Sequence, residues 1–307
     1  MPTITESIQT KIRSITGLSF DYEGDWHAYL DTKAIPVGMF NERILALASQ
    51  QNPEIKTYSS AMNWFADINN ITSTQGALDQ SIAIVTSYGG SLWLADPRFC
   101  FTDLAGTIPA GNGDKVARMN DLCGSFHATQ SDNSLRPALR NIGGLWALEF
   151  LETSTNLSVS ARGDTLIGVN YTIIGAFQSF QETSQSSFFS GIDAGLNKNL
   201  QITQLSNGTI EINQGNNLLN GGNVPLASKV LVTAYLDPAN MNIRVNKVQN
   251  SKANTDKLVT NVGWKMGTGN GGNLQYVYAA AVAPVQMSNG DILTLESNLA
   301  LRIGTAL

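Results

Sequence analysis

Val230-Leu231-Val232-Thr233-Ala234-Tyr235-Leu236 and, after four intervening residues, Met241-Asn242-Ile243-Arg244-Val245 are the two stretches that decide the fold. The second stretch alternates apolar and polar side chains with a period of two, which predicts a strand with one buried face. The first stretch is almost continuously apolar, as expected of a strand that is covered on both faces. Together they predict two strands of a largely buried β-sheet.

The period-two pattern continues along most of the chain from about residue 90. Further strands are predicted over residues 171–180, 201–205, 209–213 and 275–283. Turn residues separate them at Asn207-Gly208, Asn220-Gly221-Gly222 and 266–273. Many short strands at this spacing indicate an antiparallel sandwich or barrel.

One helix is predicted to close the chain. Ser288 and Asp291 have the spacing of a capping box, in which each side chain satisfies a free backbone N–H at the start of a helix. The apolar residues that follow recur on one helical face, at Ile292, Leu295, Leu299 and Ile303.

The first 85 residues have a helical pattern instead. Thr3 and Glu6 have capping-box spacing, and the first apolar stripe consists of Ile4, Ile8, Ile12 and Ile15. Short helices of this kind are not stable alone and must pack into a bundle or onto a partner. Because the period changes near Tyr88-Gly89-Gly90, we predict an α+β, mainly β protein: a small helical module over residues 1–88 and an antiparallel sandwich over residues 89–307.

Composition narrows the classes of function. Charged residues make up 14% of the chain and the formal net charge is -5, with no run of Lys or Arg long enough to follow a phosphate backbone, so nucleic-acid binding is not expected. No apolar run approaches the roughly 20 residues that span a bilayer, so we expect a soluble protein that does not insert into membranes. For a chain made in a cytoplasm, Cys100 and Cys123 are expected to be free thiols, although a disulfide stays open.

Three runs near the start of the predicted sandwich share one pattern. They are Phe101-Thr102-Asp103-Leu104-Ala105-Gly106-Thr107-Ile108-Pro109, Gly113-Asp114-Lys115-Val116-Ala117-Arg118-Met119-Asn120-Asp121 and Arg136-Pro137-Ala138-Leu139-Arg140. With Trp93 to Pro97 before them, they resemble the opening of a phage-associated family of concanavalin A-like, laminin-G-type sandwiches. The likeness continues more loosely to the closing helix, although Leu122 to Phe126 replaces the family's polar turn. It implies a lectin-like jelly roll over about residues 90–307.

The N-terminal part carries a second likeness. Asp21-Tyr22-Glu23-Gly24-Asp25-Trp26-His27-Ala28, Gly38-Met39-Phe40-Asn41-Glu42-Arg43 and Thr57-Tyr58-Ser59-Ser60-Ala61-Met62 resemble a module at the start of phage structural proteins. The two resemblances imply a structural protein of a tailed-phage virion, in the tail, fibre or baseplate. Its N-terminal module would bind other virion proteins, its sandwich a host surface glycan, and the protein would be a homo-oligomer, with a trimer expected. A capsid decoration protein and a glycan depolymerase are the alternatives.

Catalytic constellations are few. Glycosidases of the sandwich family need two carboxylates on one strand face, whereas the odd spacing of Glu149 and Glu152 places them on opposite faces of a regular strand. A triad can be drawn with His127, Asp121 and Ser125, but no serine lies in a Gly-x-Ser-x-Gly elbow. The sequence therefore predicts a protein that is not an enzyme, with His27 and His127 in turns or packing.

Ligand-binding candidates lie on predicted loops. Lectin sandwiches bind sugar, often with calcium, through closely spaced Asp and Asn oxygens at one rim, so the candidates are Asp193, Asn197, Asn199, Asn270 and Asn273. Trp264 stands beside a glycine and a loop and is the tryptophan best placed to stack on a sugar ring. No cofactor is predicted, and calcium is the ion that these oxygens would hold.

Overall fold

In a computed structural model, the chain divides by its internal contacts into two compact units, Met1–Ala77 and Leu78–Leu307. The structure describes residues 28, 30–33, 42–43, 46–47, 49, 76–151, 156–159, 170–180, 186–193, 198–214, 217–236, 239–253, 261–267 and 274–305. In the first unit, the described residues between 28 and 32 and between 42 and 49 are helical, and Arg43 forms an ion pair with Asp31. The predicted stripe from Ile4 to Ile15 lies outside the described residues.

The second unit contains seventeen strands in its described part. They are β1 (Ser91–Leu94), β2 (Cys100–Phe101), β3 (Arg118–Met119), β4 (Ala128–Thr129), β5 (Ala138–Ile142), β6 (Leu145–Phe150), β7 (Leu157–Val159), β8 (Tyr171–Ser179), β9 (Ser186–Asp193), β10 (Lys198–Gln204), β11 (Thr209–Gln214), β12 (Asn217–Asn223), β13 (Lys229–Leu236), β14 (Asn240–Val245), β15 (Val248–Ala253), β16 (Asn261–Met266) and β17 (Gln275–Ala283). A helix, α1, covers residues 76–87, and α2 (Asn289–Ile303) follows the last strand.

The strands form two antiparallel sheets. Sheet A has the order β15-β14-β13-β8-β17-β6-β5, with β1 also paired to β17. Sheet B has the order β12-β11-β10-β9-β16-β7-β4-β3-β2. The prediction of an antiparallel sandwich with a closing helix is confirmed, and β13 pairs with β14 with Val232 opposite Val245.

The strand β13 shows why its sequence is almost continuously apolar. Val230, Val232 and Ala234 face the inner core between the two sheets. Leu231 and Tyr235 face the opposite way, into a second cluster between sheet A and the helices, which we call the outer cluster. Both faces of this strand are therefore buried, as its composition predicts.

Both helices pack on the outer face of sheet A. Leu78 and Val85 of α1 join a cluster that includes the predicted stripe of α2, Ile292, Leu295, Leu299 and Ile303. Ser288 caps α2 by accepting the Asp291 backbone N–H at 3.1 Å, and Gly304, with φ +64°, ends it.

The packing of α1 also affects the domain boundary. The compact units divide between Ala77 and Leu78, about one helix earlier than the boundary at residue 88 expected from the change of period. The reason is that α1 is helical in pattern yet buries Leu78 and Val85 with sheet A residues. The division of roles between residues 1–88 and 89–307 stays a prediction.

Two further expectations concern membranes and thiols. None of the helices in the described part of the chain is long and apolar enough to cross a membrane. Cys100 and Cys123 are free cysteines, and burial raises the pKa of the Cys100 thiol to about 12. Cys100 is therefore a core residue rather than a reactive thiol.

Candidate functional site

A row of polar and aromatic side chains crosses the outer face of sheet A, in the part that α1 and α2 do not cover. Neighbouring strands place Lys229 opposite Gln178, Gln178 opposite Tyr276, and Tyr276 opposite Glu149. We call these four residues, with Arg140 and Phe180 beside them, the outer-face row. Lys229, Gln178, Tyr276 and Glu149 come from β13, β8, β17 and β6, so the register of sheet A brings these four together.

The alternation of each strand explains why these side chains share one face. On β8, Ile173 and Phe177 belong to the inner core, whereas Ile174 and Ala176 belong to the outer cluster. Gln178 therefore points outward, and so does Phe180 just after the strand. On β8, Ile174 and Ala176 are buried under the helices, whereas Gln178 and Phe180 are partly exposed.

A β-bulge adds a second tyrosine to this face. In the pairing of β17 with β8, Val277 lies opposite Phe177 and Ala279 opposite Ala176, so Tyr278 is the extra residue. Tyr278 lies in the outer cluster, two residues from Tyr276. Bulges of this kind redirect a side chain and occur often beside functional sites.

An ion pair occupies one end of the row. The Arg140 Nε donates to Glu149 Oε2 at 2.6 Å, and the side chains of Arg140 and Glu149 are 40% and 9% exposed. The Tyr276 hydroxyl donates to the other carboxylate oxygen of Glu149 at 3.4 Å. Burial, followed by the charge of Glu149, raises the pKa of Tyr276, so this hydroxyl stays a neutral hydrogen-bond donor.

A hydrogen-bonded chain fixes the middle of the row. The Tyr278 hydroxyl donates to Gln178 Oε1 at 2.8 Å, and Gln178 Nε2 donates to the carbonyl of Ala227 at 2.5 Å. Burial, with the nearby Tyr276, raises the pKa of Tyr278 to about 12. Gln178 is thus held in one orientation between two partners.

Lys229 occupies the other end. Its Nζ donates to the carbonyl of Ile303 at the end of α2, at 2.8 Å, and lies 5.8 Å from the centre of the Tyr278 ring. Burial lowers the pKa of Lys229. Among the described residues, no carboxylate forms an ion pair with this ammonium group.

The two aromatic rings give the row a flat apolar surface. Phe180 meets Tyr276 edge to face, with ring centroids 5.3 Å apart, and both side chains are partly exposed. An apolar ring surface that is flanked by fixed amide, carboxylate and cationic groups suits a ligand with a flat carbon skeleton and many hydroxyl groups. The pattern of outward residues on β8 and β17 is the sequence signal that could have found these residues.

Trp264, the predicted stacking residue, is corrected by the structure. It lies on β16 in the inner core, 0% exposed, with its ring stacked on Phe189 at 4.7 Å. The glycine beside it, Gly263, is a strand residue of β16 rather than part of an exposed loop. Trp264 therefore packs the sandwich and does not reach a surface ligand.

The other predicted ligand residues are only partly placed. Asp193 ends β9 and Asn199 lies near the start of β10, the strand paired with it. Asn197, Asn270 and Asn273 lie outside the described residues. No group of three or more His, Cys, Asp or Glu that could hold a metal occurs in the described part of the chain. The loop site with calcium stays a prediction.

The triad that the sequence allowed has a different geometry. The Asp121 carboxylate accepts from Ser91 Oγ at 2.8 Å and from the backbone N–H groups of Leu92 and Cys123 at 3.1 and 3.0 Å. His127 Nδ1 accepts the backbone N–H of Asp121 at 3.2 Å rather than donating to its carboxylate. Asp121 and His127 thus stabilise the turn that follows β3 and join it to β1. Glu152, the second carboxylate of the predicted pair, lies outside the described residues.

Solved structures with a related fold are known. Trypanosoma rangeli sialidase aligns with 80% of this chain and 40% of its own, at 10% sequence identity and a TM-score of 0.51. The same sialidase in complex with sialic acid aligns with 78% of this chain and 40% of its own, at 10% identity and a TM-score of 0.50. The chain therefore spans less than half the length of that sialidase, and the similarity is one of fold. No protein-family model matches the chain, and no curated protein matches its sequence.

The prediction that the protein is not an enzyme is contradicted by this comparison. The solved structures that share its fold include a sialidase, which is an enzyme. The prediction depended on the spacing of Glu149 and Glu152 and on the absence of a serine elbow. Those patterns belong to paired-carboxylate glycosidases and serine hydrolases, and other side chains serve as nucleophiles in other glycosidases. Their absence did not support the broader prediction.

Proposed function

We propose that the sandwich recognises carbohydrate through the outer-face row, with a sugar ring lying on Tyr276 and Phe180. The single observation that carries this proposal is the cross-strand register of Lys229, Gln178, Tyr276 and Glu149, which places four hydrogen-bonding groups in one line. Adjacent strands lie about 4.8 Å apart, so the row is about 14 Å long, enough for two to three sugar rings.

The groups in the row are suited to sugar hydroxyls. Glu149 offers acceptor oxygens, and the Arg140 guanidinium has donors beyond the Nε that binds Glu149. Hydrogen bonds that involve an ionised group are stronger than neutral ones. The internal bonds of Gln178 and Glu149 hold these groups in place before the ligand arrives, which reduces the entropy lost on binding.

Resemblance and fold support the same class of ligand. The phage-associated concanavalin A-like family that the sequence resembles is lectin-like, and a sialidase of related fold has been solved in complex with sialic acid. On this proposal the chain is a concanavalin A-like domain that binds a host surface glycan.

The test measures glycan binding by the full chain. The protein is applied to an array of oligosaccharides, and the strongest binder is titrated calorimetrically into the wild type, Tyr276→Ala and Phe101→Ala. Phe101 is a matched control because it is also partly exposed but lies on sheet B. We expect Tyr276→Ala to weaken binding about tenfold, or about 1.4 kcal/mol, and Phe101→Ala to leave it unchanged. Equal affinities of all three proteins would overturn the proposed site.

The wider setting that we propose is a tailed-phage virion, with the N-terminal module attached to other virion proteins. The motifs Asp21 to Ala28 and Phe101 to Pro109 support this setting through their resemblance to phage proteins. Capsid decoration is the alternative position on the particle, and a glycan depolymerase is the enzymatic alternative. Antibody labelling of particles in electron micrographs separates tail from capsid, and a reducing-sugar assay on host polysaccharide tests the depolymerase.

A further inference from the structure

The charges of the outer-face row are not balanced along its length. At one end, the Arg140 guanidinium is neutralised by Glu149 at 2.6 Å. At the other end, Lys229 donates to an uncharged carbonyl and lies beside the Tyr278 ring. The row therefore has one ammonium charge in excess, and that charge is at the β13 end.

The position of this ammonium group relative to the aromatic rings suits one kind of sugar. Lys229 and Tyr276 are separated by one strand, or about 10 Å between strand axes. A ring on Tyr276 and Phe180 therefore places the substituents of the next residue near Lys229. Only one of the three ammonium donors is used by Ile303, so two remain for a ligand.

We infer that the ligand of the outer-face row is a carboxylated glycan, whose carboxylate binds the Lys229 ammonium group while a neighbouring ring lies on Tyr276 and Phe180. This inference rests on the proposed function. A carboxylate at this position would form a charge-assisted hydrogen bond in a half-buried setting, where screening by solvent is reduced. A neutral glycan would add no counterion for the Lys229 charge.

Lys229 also has a structural role that the experiment must separate from binding. Its bond to the Ile303 carbonyl stabilises the C-terminus of α2, as a cation does at this end of a helix. Lys252, on the exposed strand β15, is a matched control. Its Nζ also donates to a backbone carbonyl, that of Leu218, at 3.2 Å.

The experiment titrates 3′-sialyllactose and lactose, and then a glucuronate-containing oligosaccharide and its glucose counterpart, into the full chain. We expect at least one carboxylated probe to bind about tenfold more tightly than its neutral counterpart, and added NaCl to reduce the difference. Lys229→Met should abolish the preference, so that the carboxylated probe binds no more tightly than its neutral counterpart, while an unchanged circular dichroism spectrum shows that the variant is folded. Lys252→Met should keep the preference.

The outcomes separate this inference from the function on which it rests. Equal binding of carboxylated and neutral probes, weakened in Tyr276→Ala, would leave carbohydrate recognition in place and overturn the carboxylate inference. A preference that survives in Lys229→Met would also overturn it. Failure of every glycan on the array to bind would overturn the proposed function itself.

Discussion

The contacts of Glu149 in the structure differ from the role that its sequence neighbours suggest. In the sequence it forms an acidic pair with Glu152, and the spacing of the two residues does not suit a glycosidase. In the structure it binds Arg140 at 2.6 Å and receives the Tyr276 hydroxyl at 3.4 Å. Its partners come from 9 and 127 residues away along the chain, so no local spacing could have identified them.

Gly90 links α1 to β1, and the close packing of this link against Val85 and Val282 can be tested there. A Cβ added there would lie 2.6 Å from Val85 Cγ1 and 2.7 Å from the Val282 carbonyl oxygen. We expect Gly90→Ala to lower the free energy of unfolding by about 1–3 kcal/mol, the usual cost of overpacking.

Gly76 is the matched control for that substitution. Among the described residues, a Cβ at this helical position meets nothing within 4 Å. Gly76→Ala should therefore leave stability unchanged or raise it slightly, since alanine favours a helix. Chemical denaturation measures the free energy of unfolding of both variants. An unaltered midpoint for Gly90→Ala would mean that α1 does not pack closely at this point.

The closing helix is the element that the sequence predicts most completely. Its cap at Ser288 and its four-residue stripe follow from local patterns, and the structure confirms them. Its polar contact with the sheet does not follow from such patterns. Glu296 is buried, receives the Thr233 hydroxyl at 2.7 Å and pairs with Arg244 at 3.1 Å, and burial raises the pKa of Glu296.

A substitution in this helix measures how much its packing contributes. Leu295 is 0% exposed, within the outer cluster. We expect Leu295→Ala to cost about 2–5 kcal/mol of unfolding free energy, through lost apolar burial and the cavity that remains. Leu301→Ala is the control, because Leu301 on the same helix is 53% exposed and should change stability little. Similar midpoints for the two variants would contradict the observed packing.

At the scale of the whole molecule, the sequence predicts the architecture better than the site. Period-two alternation and turn residues are local, so they predicted strands, a sandwich and the final helix. The order of strands is not local, because β8 lies between β13 and β17, and the residues that pair with β8 come 51 to 111 positions later in the chain. That order decides which outward side chains meet.

The misplacement of Trp264 has the same cause. A glycine and a nearby loop made it look exposed, but its strand, β16, lies between β9 and β7 in the interior of sheet B. Its side chain is on the inner face and stacks on Phe189. Exposure depends on neighbouring strands that the sequence does not reveal.

The central claim is that carbohydrate binds on the outer face of sheet A. The most direct measurement is a crystal structure of the full chain with the oligosaccharide that binds best on the array. We predict a sugar ring against Tyr276 and Phe180, with hydroxyl contacts to Glu149 or Arg140. A sugar bound instead beside Asp193, Asn199, Asn270 or Asn273, with the outer-face row empty, would contradict this account.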